Sequence, residues 1–200
     1  MALLDAATVR EYIPALTGTA EDSQIESYIA RFGALAAEWC GYPAATVGGN
    51  PTFEVVSYTD YLDGSGSKYL KLPVTPITGV TSAHVDIDRV YGSANLVASG
   101  DYDLFGDEGL LILKQTSVQG EWDAGTRTVK IIYTSGFSTT PMAIKHACAI
   151  QVAHWYSARS HIGKTSVTQG GGSASVATLE LLPETRQALG PYRLASSFMG

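Results

Sequence analysis

The sequence predicts an α+β fold: a helical bundle drawn from both chain ends, with a small antiparallel β lobe inserted between them. Three observations predict it. Apolar residues recur at helical spacing in residues 1–50 and 139–200. Residues 51–138 break into short β-branched and aromatic runs separated by Gly- and Asp-bearing turns. Charge changes at the same borders: the three successive stretches carry 2, 6 and 5 basic residues against 6, 11 and 2 acidic ones, so the C-terminal stretch alone is net positive. A lobe inserted at a loop tip is tolerated when its two ends lie close together.

The elements follow in order. Asp5 caps a short helix holding Val9, Tyr12 and Ile13, and Pro14 limits its extent. A second helix starts near Thr19 or Asp22. Its apolar residues Ile25, Tyr28, Ile29, Phe32, Leu35, Ala36 and Trp39 trace one face, and Gly41 and Pro43 stop it. In the β lobe, strands are expected over Phe53–Leu62, around Tyr69–Leu72, and over Val80–Ile87, Tyr102–Phe105, Leu110–Leu113 and Thr128–Tyr133. Pro73 and Pro76 make the stretch between the second and third of these an edge or a bend. Thr140 caps a helix with Pro141 at its first position. Ile144, Ala147, Cys148, Gln151, Val152, Trp155 and Ala158 form its stripe, with Gln151 the one polar member. Ala143, Ala149, Ile150 and Ala153 make the rest apolar as well, so this helix is covered on more than one side. Residues 164–177 are Gly- and Ser-rich and read as a flexible loop. Pro183 opens a last helix through Leu189, and the tail 190–200 begins at Gly190-Pro191.

Composition narrows the function classes. With 200 residues, 45% of them apolar and 16% charged, the chain has the material for a real core. No run approaches the ~20 apolar residues of a membrane span, and the opening residues hold no apolar signal segment. Cys40 and Cys148 are too few for a disulfide framework and read as small buried hydrophobes. A net charge of −6 argues against a general DNA-binding surface.

No catalytic, cofactor-binding or metal-binding set is expected. Gly163-Lys164-Thr165 resembles the end of a phosphate-binding loop, but the glycine that the pattern needs five residues earlier is Ala158. His146 and His154 are eight residues apart, too far for a zinc pair on one helix, and His84 and His161 have no ligand-spaced partner. Asp101, Asp103, Asp107 and Glu108 lack the spacing of a calcium loop and read as a solvated face. Asp86 and Asp88 alternate on a strand and are expected to point to water. The tyrosines fall on faces where packing explains them.

Several stretches combine into a larger pattern: Tyr61-Leu62-Asp63-Gly64-Ser65-Gly66, then Leu70-Lys71-Leu72-Pro73-Val74-Thr75-Pro76-Ile77, then Val129–Phe137, a proline-led helix ending Trp155-Tyr156-Ser157-Ala158-Arg159, and Leu182–Arg193. This ordered set, over residues 5–193, resembles the head–tail connector (adaptor) proteins of long-tailed phages and of phage-like gene transfer agents. The resemblance implies a virion protein without catalytic activity, in the neck of a particle assembled in the bacterial cytoplasm. It implies a dodecameric ring under the portal protein that extends the DNA channel towards a tail or stopper protein. Double-stranded DNA would pass without specific binding, which suits a net-acidic chain. No cofactor and no membrane are implied. The alternatives are another neck or tail-completion virion protein, or an enzyme whose site carries no motif.

Two surfaces are expected to serve assembly. A subunit of a head-to-tail ring needs apolar area on two sides, and the helix over 140–159 offers it through Ile144, Cys148, Val152 and Trp155. The tail offers Tyr192, Arg193, Leu194, Phe198 and Met199 beyond a helix break, the composition of an anchor. With the resemblance, its expected partner is the portal.

Overall fold

The computed structural model describes residues 3–13, 16, 18–159, 166–169, 172–175 and 180–194. They form an α+β fold with antiparallel sheets, and the chain divides into two compact units.

The first unit takes Met1–Cys40 and Thr140–Arg193. Its helices are α1 (Ala6–Arg10), α2 (Asp22–Trp39), α3 (Met142–Ala158) and α4 (Pro183–Leu189). The Asp5 side chain accepts from the Thr8 N–H and caps α1. Arg10 then pairs with Asp22 at 2.6 Å, fastening α1 to the start of α2. On α2 the apolar face splits: Ile25, Ile29, Phe32 and Ala36 are buried, whereas Tyr28, Leu35 and Trp39 keep part of their surface. Gly33 is small where Leu3 crosses the helix, and a methyl group there would sit 2.8 Å from Leu3 Cδ1. At α3 the cap is Pro141 in extended backbone, with no side-chain hydrogen bond, so the start falls one residue later than the Thr140 cap predicts. α3 packs against α1, α2 and α4, which cover it on several sides.

Of residues 164–177, expected as a loop, the described ones form two short strands, β8 (Ser166–Gln169) and β9 (Gly172–Ser175), and the others lie outside the described residues. The two strands pair antiparallel with Ser166 opposite Ser175. Backbone pairing needs no apolar side chain, which is why composition alone missed it.

The second unit begins at Gly41 rather than at residue 51. Gly41 takes φ 86°, a conformation that suits glycine, and ends α2. The next residue, Tyr42, is already buried among β-unit residues: its hydroxyl donates to the Thr75 carbonyl at 2.8 Å and its ring meets Phe53 edge-on at 5.2 Å. The strands are β1 (Val56–Gly64), β2 (Tyr69–Lys71), β3 (Ile77–Val85), β4 (Leu96–Val97), β5 (Tyr102–Phe105), β6 (Leu110–Leu113) and β7 (Gly125–Ser135). They make a four-stranded sheet in the order β1-β7-β3-β4 and a three-stranded one in the order β2-β6-β5. β7 lies inside the first sheet, and its residues Val129, Ile131, Tyr133 and Ser135 are buried in strict alternation. Trp122 is fully buried and its indole N–H donates to the Lys68 carbonyl at 3.0 Å. The Pro73–Pro76 stretch bends between β2 and β3, with a cis Thr75–Pro76 bond.

Candidate partner-binding surfaces

The groups that resemble chemistry in the sequence stay apart. Residues 163–165 and His161 lie outside the described residues. His84 Nδ1 lies 3.3 Å from the Gly92 carbonyl, and His146 Nδ1 lies 3.3 Å from the Tyr12 hydroxyl. Among the described residues no three His, Cys, Asp or Glu side chains gather as metal ligands would. Burial pushes the thiols up, Cys40 to about 11 against a weaker opposing pull from Arg193, and Cys148 to about 12. Both remain protonated and unreactive near neutral pH.

Asp86 departs from expectation. β3 ends at Val85, so Asp86 leaves the strand alternation and turns inward, only 7% exposed. Its carboxylate accepts from the N–H groups of Asp88 (2.9 Å), Val90 (3.0 Å) and Tyr91 (2.7 Å). Burial acts to raise its pKa, but these bonds and one from Asn95 outweigh it and hold the group below its ordinary value. Asp88 is exposed, as expected.

On α3, Ile144, Cys148 and Val152 are 0% exposed and Trp155 is 3% exposed within this single chain. A side chain with no free surface has none to give a neighbour directly. Tyr28 packs on Trp155 at 6.3 Å and Arg31 lies 5.5 Å over its ring. Gln151, also 0% exposed, donates to the Glu180 carbonyl at 3.2 Å and accepts from the Leu182 N–H at 2.8 Å. It fixes the approach to α4.

Of the tail, Tyr192, Arg193 and Leu194 are described, and Phe198 and Met199 are not. Tyr192 ends a short 3-10 turn after α4, and the Arg193 guanidinium lies 4.9 Å over the Trp39 ring. The start of the tail thus rests on its own subunit through a cation–π contact. Trp39 also lines a groove of about 370 Å³ with Leu35, Glu38, Glu180, Leu181 and Arg186. Its floor is apolar, and its rim includes the Glu180–Arg186 pair at 3.1 Å.

A second surface, which no motif in the sequence marks, lies on the β unit. β1 pairs with β7 so that Tyr61 stands opposite Lys130. The Tyr61 and Tyr91 rings lie 5.4 Å apart. Arg127 is 4.9 Å over Tyr61, and Lys130 is 5.9 Å from each ring. Arg89 donates to the Thr126 carbonyl at 3.1 Å, and the Tyr91 hydroxyl donates to the Arg127 carbonyl. The chain brings together two aromatic faces and three cations that lie far apart in sequence.

The comparisons with known proteins give a family and a shared fold. The profile of the Head completion protein family matches residues 2–195, and the chain belongs to that family. The fold is also similar to chains in solved structures of gene transfer agent (GTA) particles. One is described as the neck of an empty GTA particle computed with C6 symmetry: TM-score 0.57, 18% identity, covering 99% of this chain and 93% of that one. Another comes from the virion of a native GTA particle, with TM-score 0.55, 18% identity and the same coverage. A third, from the neck of a native GTA particle computed with C12 symmetry, has TM-score 0.53 and 18% identity, covering 98% of this chain and 91% of that one. At that identity the likeness shows a shared fold. No curated protein matches the sequence.

Proposed function

We propose that this chain is a structural head–tail adaptor: it forms a ring under the portal protein and extends the DNA channel to the tail. The observation that carries the reading is the family match over residues 2–195. The shared fold with neck chains solved in sixfold and twelvefold symmetry supports a dodecameric ring. With a net charge of −6, such a ring lets double-stranded DNA pass without gripping its phosphates. The tail, through Tyr192, Arg193, Leu194, Phe198 and Met199, is the portal anchor. α3 serves the subunit contact as a rigid support: Ile144, Cys148, Val152 and Trp155 hold it in place inside the subunit.

Electron microscopy of the chain mixed with its portal tests this. Rings stacked on the portal are expected. A chain that leaves the portal bare and binds a tail protein instead belongs elsewhere in the neck. Removing residues 191–200 tests the anchor: the shortened chain, which gives up the Arg193–Trp39 contact, is expected to fold with a nearly unchanged melting temperature and lose the portal. Undiminished portal binding removes the tail from that role.

A further inference from the structure

We infer that the basic and aromatic surface of the β unit docks on the acidic turn after β5 of a second copy of this chain, making a head-to-tail ring contact. The inference rests on the ring reading above and names the surfaces that close it.

The donor surface is built to meet something. Among the described residues, Arg89, Arg127 and Lys130 form no ion pair, although the chain is acidic overall. Arg89, Tyr91 and Arg127 hold φ angles of 61°, 53° and 55°, a region that non-glycine residues occupy only where their surroundings enforce it. The buried Asp86 carboxylate enforces it in the loop by gathering three backbone N–H groups. The same loop exposes Ile87 at 65% and Val90 at 77%. Phosphate backbones offer nothing to two large aliphatic side chains, so the partner is a protein surface that is acidic and partly apolar.

This chain carries such a surface. β5 is the outer strand of the β2-β6-β5 sheet. It ends in Phe105, 47% exposed, and Tyr69 on β2 is 57% exposed. Asp107 and Glu108 follow, both exposed; the Lys71 ammonium donates to the Glu108 main-chain carbonyl, and neither carboxylate forms an ion pair among the described residues. Asp103 on β5 is half satisfied by Lys114 at 3.3 Å. Two different, complementary patches on one chain can meet head to tail, and such a contact makes a ring when its rotation closes. Arginine and tyrosine are the side chains that anchor such contacts.

The test uses two charge reversals of the full chain, R127E/K130E and D107K/E108K, each assembled on the portal. Wild-type rings are counted first; if none form, it is the ring reading that fails. Given wild-type rings, each reversal alone is expected to lower ring yield at least tenfold. An equal mixture is expected to restore it, because each altered patch then meets its complement on the other variant. Rings at wild-type yield from either reversal alone overturn the inference. So does failure of the mixture when both variants melt as the wild type does. Should a reversal fail to fold, the milder R127Q/K130Q and D107N/E108Q pairs take its place, and unchanged ring yield in both overturns the inference. If R127E/K130E keeps its rings but loses binding to a double-stranded DNA fragment at low salt, the patch is a DNA contact and the inference is wrong.

Discussion

Gln151 is a polar residue in a fully buried position, and replacing it by leucine measures why it is there. The side chains are similar in size, so packing is largely kept. What is lost is the bond accepted from the Leu182 N–H and the bond donated to the Glu180 carbonyl. Leu182 is half-buried, and its orphaned N–H costs about 1–3 kcal/mol. Glu180 is exposed, so water takes over its carbonyl, and that second loss is at most about 1 kcal/mol. Removing a buried amide gives back part of this, leaving a net loss of about 2 kcal/mol. For a chain of this length that lowers the melting temperature by roughly 4–8 °C. Circular dichroism melting reads the global effect, and hydrogen exchange at the Leu182 amide reads the local one. A Q151L protein that melts at or above the wild-type temperature, with Leu182 still protected, refutes the reasoning.

Three further outcomes are expected. Gly136 has φ 131°, and an added methyl group would overlap the Glu54 carbonyl oxygen, so G136A should cost on the order of 2–4 kcal/mol in urea unfolding; an unchanged midpoint would show that the backbone at Glu54, ahead of β1, moves aside freely. The folded pKa of Asp86 lies below its ordinary 3.8, so its stabilisation is present above that pH and is lost as pH falls through the lower folded value. Proteolysis within 87–92 should therefore rise below about pH 3.8 in the wild type, and near neutral pH in D86A; a loop equally protected in D86A contradicts this. Cys40 and Cys148, with thiols pushed up to about 11 and about 12 and side chains at most 1% exposed, should resist alkylation at pH 8 until urea unfolds the chain; labelling of the folded protein would place them at the surface.

Local signals in the sequence were legible and long-range ones were not. The apolar face of α2, the Pro183–Leu189 helix and the strands Tyr102–Phe105 and Leu110–Leu113 each follow from spacing and turn residues that a short window contains. The alternation that predicts an outward Asp86 holds only while a strand lasts, and β3 ends one residue before it. The all-round apolar surface of α3 predicts cover on more than one side without saying whose, and α1, α2 and α4 of the same chain supply it. Window reasoning sees how much surface must be covered and not what covers it. The aromatic–basic patch shows the same limit from the other side. Tyr61 and Lys130 are 69 residues apart, and only the register of β1 on β7 sets them opposite each other. Taken alone, each is an ordinary strand residue. A binding surface made by pairing has no signature in any one segment. For a protein without catalytic motifs, the sheet register is therefore where residue-level functional information has to be sought.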